Sequence, residues 1–158
     1  MTAFGLNVVI AVMWLLLSNA PSATVLAVGF TVGFALVAAF RTVIGGETYV
    51  RRCIAFVRFV LVFTREFVVA NAKVAWMVLF RSRESLHANF LTYDVTGLTR
   101  QEILLLSYCI SLTPGTTTVD VSPDFKTLVL HALDADHPDQ VRAEVDRRLK
   151  HSILAFTR

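Results

Sequence analysis

Apolar and polar positions follow three successive patterns along the chain. Residues 3–17 are apolar except for Asn7, a run of 15 residues. As a helix it would be about 22 Å long, short of the ~30 Å of a bilayer's hydrocarbon core. Ser18, Asn19, Ala20, Pro21 and Ser22 follow, a cluster whose proline cannot continue a helix and whose small polar residues suit a tight turn. A second apolar run, 23–44, has 22 residues with Arg41 near its end and is long enough to span. Together the two runs predict a transmembrane helical hairpin over 1–46. Gly29 and Gly33, four apart, let the second helix approach a neighbouring backbone closely. Gly45 and Gly46 form a hinge after it.

The next pattern, 47–84, predicts one long amphipathic helix. At ~100° per residue, Arg51, Arg52, Arg58, Arg65, Glu66 and Lys73 fall within an arc of roughly 140°, with Ile54, Val57, Val60, Leu61, Phe67, Val68 and Val74 on the other faces. The arc is impure, because Ala55, Phe59, Val62 and Val69 lie inside it. A spanning helix would bury its central cations at about 2.5–3.5 kcal/mol each, whereas one lying in the membrane interface lets each arginine snorkel to phosphate or water. The expected arrangement is therefore interfacial, with a third span as the alternative. Arg51, Arg52, Arg58, Arg65 and Lys73 are expected to contact anionic headgroups or acidic loops of a partner.

Beyond residue 84 the pattern shortens into alternating pieces. Residues 89–95 alternate as a strand. Residues 99–112 open on Thr99 and Glu102 at capping-box spacing and continue as a buried helix, stopped by Thr113, Pro114, Gly115 and Thr116. Residues 117–122 and 127–133 predict a hairpin about a turn at Pro123. Finally, 137–156 reads as a helix, with Val141, Val145, Leu149, Ile153 and Phe156 on one side at mostly four-residue spacing. The order strand, helix, strand, strand, helix predicts a small α+β domain over 85–158, an incomplete ferredoxin-like layer without its last strand.

Charge sharpens this three-zone division. Residues 1–40 carry no Asp, Glu, Lys or Arg; residues 41–83 carry eight Lys/Arg against two Glu, and residues 84–158 carry seven against ten. The pI of about 9.2 and mean hydropathy of +0.61 thus describe a basic band beside a greasy segment, which fits anionic lipid and not nucleic acid. No Lys or Arg precedes Arg41 or lies in the Ser18–Ser22 turn, so the positive-inside rule puts that turn outside and both termini in the cytoplasm. Without a basic leader or a small-residue cleavage pattern, the first apolar run is expected to be retained. Cys53 and Cys109, each in apolar sequence, are expected to be buried thiols on the reducing side.

The chain offers little chemistry. Residues 1–40 lack any ionisable group that could relay an ion. Glu66 and Lys73, seven apart, read as a snorkelling and solvated pair. His87, His131, His137 and His151 have no metal-like spacing, Ser107, Ser111 and Ser122 have no nucleophile-elbow context, and no glycine-rich loop cradles phosphate. No catalytic, metal or cofactor site is expected, and the chain is not expected to be an enzyme.

Leu112, Thr113, Pro114, Gly115 and Thr116, then 119–122 with Asp120, then 128–134 with His131, resemble the core motif of the E component of the multisubunit Na+/H+ antiporter, the Mrp, Mnh or Sha family. Trp14, the Gly29-Phe30 and Gly33-Phe34 repeats and the 71–75 stretch around Lys73 extend the similarity to nearly the whole chain. The resemblance implies an accessory subunit of a bacterial inner-membrane assembly that exchanges sodium for protons in pH homeostasis and sodium tolerance. It also implies six other subunit types, the larger of which carry the ion pathways, and a structural role for the motif residues. A related assembly exchanges potassium. The alternative from the residues alone is a freestanding membrane-tethered regulatory domain that senses a small ligand.

Overall fold

The computed structural model describes residues 2–82, 86–133 and 137–158. In order, the elements are α1 (Ala3–Leu17), α2 (Ala23–Ala39), α3 (Arg41–Ile44), α4 (Glu47–Phe80), β1 (Asn89–Asp94), α5 (Arg100–Leu112), β2 (Thr116–Val121), β3 (Thr127–Ala132) and α6 (Pro138–Glu144), followed by a π-helical segment (Val145–Lys150) and α7 (His151–Thr157). The predicted end of the long helix at Arg83 and Glu84, and Asp134 of the motif block, lie outside the described residues. Two compact units divide the chain, residues 1–54 and 55–158.

In the first unit, side-chain caps start both long helices: Thr2 Oγ1 accepts from the Gly5 N–H at 3.2 Å and Ser22 Oγ from the Val25 N–H at 3.3 Å. Gly29 and Gly33 are buried where α2 meets α1. A Cβ on Gly29 would stand 2.7 Å from Trp14 Cβ, and one on Gly33 would overlap Asn7 Oδ1. Asn7 is fully buried, and its Nδ2 donates to the Tyr49 hydroxyl at 2.7 Å. The Phe4 and Phe34 rings flank Tyr49 at 6.0 Å each.

The expected 22-residue second helix is broken. α2 ends at Ala39, Phe40 leaves helical geometry at φ −103° and ψ 19°, and α3 is a single turn closed by Gly45 at φ +69°. Three β-branched residues followed by two glycines hold this stretch only as one turn. The apolar helices therefore have 15 and 17 residues, or about 22 and 26 Å. Among the described residues no helix is long and apolar enough to cross a membrane.

The second unit is built on a three-stranded antiparallel sheet of order β1-β3-β2. β1 and β2 thus run parallel to each other with β3 between them. Leu91, Tyr93, Leu128, Leu130 and Ala132 point to one face, where Leu106 and Ile110 of α5 and Val145, Leu149 and Ile153 complete the core. The other face stays open, with Phe90 62% and Val119 54% exposed. Both outer strands are blunted: Arg142 Nε donates to the Thr92 carbonyl at 2.8 Å, and a bulge at Val119 interrupts β2, whose Thr118 N–H turns to Ser111 Oγ at 3.1 Å.

The four-residue spacing of Val141, Val145, Leu149 and Ile153 finds its explanation in the π segment. On an α-helix each four-residue step drifts by ~40°, which would carry the row off one face. The wider π turn absorbs the drift, and Val145, Leu149 and Ile153 are all buried.

α4 explains the impurity of its charged arc. Ala55, Phe59, Val62 and Phe63 are the stripe that turns toward its own unit, and Phe59 and Phe56 pack on Phe156 at 5.2 and 5.4 Å. On the opposite face Val57, Leu61 and Val68 are 58%, 66% and 59% exposed.

The capping box of α5 reaches further than a cap. Glu102 accepts from the Thr99 N–H at 2.8 Å, and also from Thr157 Oγ1 at 2.7 Å and Arg158 Nε at 3.2 Å, while its own side chain is buried. The Arg158 guanidinium, aided by these bonds, holds the carboxyl down at about 2, against 4.5 ordinarily. A depressed carboxyl stabilises the fold above its unfolded value, so this contribution is complete above pH 4.5 and is lost as pH falls toward 2. Glu102→Gln is expected to lower the thermal midpoint of the detergent-solubilised chain at pH 7, with the gap from the parent narrowing steadily below pH ~4.5. A gap independent of pH would assign the loss to packing alone.

Candidate functional site

Within the second unit the carboxyl-terminal half of α4, the 113–116 turn and the helix beginning at α6 enclose a cleft of about 280 Å³. Its apolar walls are Val69, Val74, Met77, Leu133 and Val141, and Ile110 lies at its base. The turn forms the rim because of how α5 ends. Thr113 Oγ1 donates to the Cys109 carbonyl at 2.8 Å, Thr116 Oγ1 to the Ile110 carbonyl at 3.2 Å, and the Thr113 N–H to the same Ile110 oxygen at 3.1 Å. These bonds satisfy the last carbonyls of the helix. Gly115 takes φ +98°, a conformation other residues resist, and its carbonyl accepts from the Leu133 N–H at 2.8 Å, tying the turn to the end of β3.

The electrostatics of the cleft centre on Glu66. Its carboxylate is buried and receives Arg148 Nη1 at 2.5 Å and Arg65 Nη1 at 2.9 Å. Arg148 also faces Glu144 at 3.8 Å. The expected solvated pair of Glu66 and Lys73 is thereby corrected. Glu66 lies on the core-facing stripe, seven residues from Phe59, so it turns inward to the π segment, while Lys73 lines the cleft exposed and has no acidic partner among the described residues.

The structure gathers some of the residues singled out in the sequence and scatters others. Thr113, Pro114, Gly115, Thr116 and Lys73 meet at the cleft. Leu112 ends α5 with its side chain 57% exposed. Asp120 is exposed on β2, its Oδ1 accepting from the Val121 N–H at 2.8 Å. His131 stacks edge-on against Phe90 at 5.0 Å on the open sheet face. Arg51, Arg52, Arg58 and Arg65 are exposed along α4. Cys109 is buried and free, its thiol pushed up to about 11 by burial; Cys53 is free and half-buried. Arg148 and Glu144 were missed, since a lone arginine 82 positions from its carboxylate leaves no local signal.

What the fold and cleft define is an apolar helical hairpin followed by a long helix with one open apolar face, carrying a small α+β layer whose cleft holds an ion-pair network. Residues 7–155 match the family model described as Na+/H+ ion antiporter subunit, and the chain belongs to the E family of antiporter subunits. It is 29% identical over 153 residues to the E component of the Na(+)/H(+) antiporter of Alkalihalophilus pseudofirmus, covering 97% of this chain and 96% of the relative. To the corresponding E component of Bacillus subtilis it is 30% identical over 154 residues, with the same coverage of each chain. Among solved structures, a chain of the Mrp complex from Dietzia sp. DQ12-45-1b superposes at a TM-score of 0.50 with 26% identity, covering 65% of this chain and 96% of that one. A chain of the membrane-bound sulfane sulfur reductase, an archaeal respiratory membrane complex, shares the fold at a TM-score of 0.56 and 21% identity over 96% of both.

Proposed function

We propose that this chain is an accessory subunit of a multisubunit Na+/H+ antiporter in the bacterial cell membrane, which holds the assembly together and leaves ion conduction to its partners. Family membership over nearly the full length is the observation that carries this reading. The absence of any ionisable residue from 1–40 agrees with a non-conducting role. The hairpin serves as the membrane anchor, with both termini in the cytoplasm. α4 lies in the interface, its uncovered apolar face toward acyl chains or a neighbouring subunit. Arg51, Arg52 and Arg58 reach headgroup phosphates or acidic partner loops, whereas Arg65 is turned to Glu66. The helices of 15 and 17 residues suit a locally thinned bilayer or close packing against longer neighbours. The α+β unit, read as an incomplete ferredoxin-like layer, braces the six other subunit types from the cytoplasmic side.

Omitting this chain from the co-expressed assembly is expected to reduce complex recovery and sodium-dependent proton exchange together. Undiminished exchange without it would refute the reading. Arg58→Gln, at a cation with no acidic partner among the described residues, is expected to loosen the chain's association without altering cation selectivity; altered selectivity would instead place it in the ion pathway. Sidedness follows from a thiol at Ala143, exposed on α6, in a Cys53→Ala, Cys109→Ala background. Labelling by an impermeant reagent only in inverted vesicles is expected.

A further inference from the structure

The cleft beside the 113–116 turn is at the small end of ligand pockets and poor in free donors. Its volume of about 280 Å³ lies near the lower end of the ~300–1,000 Å³ usual for ligand pockets. The Thr113 and Thr116 hydroxyl protons are already given to carbonyls of α5. Arg65 and Arg148 are engaged by Glu66, and Glu144 stands 3.8 Å from Arg148. That leaves Lys73, exposed where it lines the cleft, as its unpaired cation among the described residues. An occupant that fits must fill an apolar slot the size of a few side chains and bring a single negative charge. A diacyl lipid supplies the charge on a body far larger than the slot. A protein segment with one carboxylate among apolar residues supplies both.

We propose that this cleft seats an apolar, carboxylate-bearing segment of another subunit of the antiporter assembly, with Lys73 as the ion-pair partner of that carboxylate. The proposal rests on the subunit reading above and deepens it. Val74 and Met77 on one side and Leu133 and Val141 on the other take the apolar side chains, and Gly115 keeps the rim narrow, since a Cβ there would already stand 3.5 Å from Val74. Docking removes water from around Lys73, which strengthens its pairing and makes a mispaired charge costly.

The test uses the intact co-expressed complex with a photo-crosslinking residue at Val74 and, separately, at Val141. The expected result is an adduct from both positions to one peptide of another subunit that contains Asp or Glu. Lys73→Glu is then expected to lower recovery of complexes holding this chain by about tenfold, and reversing the charge of that Asp or Glu to Lys to restore it to within about twofold. Lys73→Met, which keeps the apolar stem, is expected to fall between. Adducts only to lipid or to a second copy of this chain, no adduct from a complex that contains the chain, or no rescue by charge reversal would overturn the proposal and leave the subunit reading standing. A complex that assembles without the chain would overturn both.

Discussion

Arg148→Ala is expected to destabilise the second unit by about 2–3 kcal/mol, measured as unfolding free energy by pulse proteolysis of the full chain in detergent. Glu66 is buried and its strongest partner is Arg148. Removing one member of a buried pair strands the other charge at ~3–5 kcal/mol, discounted here because the Arg148 side chain is 35% exposed. Arg65 makes the second contact to the same carboxylate from a side chain 74% exposed, so Arg65→Gln is expected to cost under ~1 kcal/mol. The paired change of Glu66→Leu with Arg148→Leu is expected to recover most of the loss, since apolar groups of similar size leave no stranded charge. Equal losses for Arg65→Gln and Arg148→Ala would show that the network is solvated in the way the sequence had indicated.

Gly33→Ala is expected to weaken the hairpin by about 1–3 kcal/mol, the usual range for overpacking a tight contact. The added methyl would overlap Asn7 Oδ1 and crowd Ile10 Cβ at 3.2 Å. Relief would push Asn7 off the Tyr49 hydroxyl and disturb the point where α1, α2 and the start of α4 meet. Because part of the clash is with the asparagine side chain, Asn7→Ala is expected to soften the effect of Gly33→Ala, so the two losses should fall short of adding. Urea unfolding in detergent, followed through Trp14 fluorescence in a Trp76→Phe background, measures each term. Strict additivity would mean that the helices separate as rigid bodies without using the Asn7 contact.

The two substitutions also mark what the sequence discloses and what it withholds. Local chemistry was legible. The Thr99 and Glu102 spacing produced both bonds of a capping box, the strand hairpin about Pro123 is present, and the two glycines of α2 are buried at a helix contact. Some signals were visible but misread. Ala55, Phe59 and Val62 looked like flaws in a charged arc and are the stripe that meets the domain; the four-residue spacing after Val141 was read as one side of an ordinary helix and is the imprint of a π turn. Long-range pairing was illegible. Nothing near Glu66 announces an arginine 82 residues away, and the Val119 bulge is a matter of pairing with β3 that no single window contains; the break at Phe40 had a local cause, in the β-branched run and the glycines after it, that a count of apolar residues passes over.

The covered edges of the sheet bear on the interval between synthesis and assembly. A bare three-stranded layer held at a membrane surface would be a template on which a second nascent chain could lay a strand, and repeated strand addition is how fibres grow. With Arg142 on the Thr92 carbonyl at one border and the Val119 bulge at the other, two newly inserted copies that meet before their partners arrive find no unbroken ladder to extend. Both borders are thereby poor templates for strand addition.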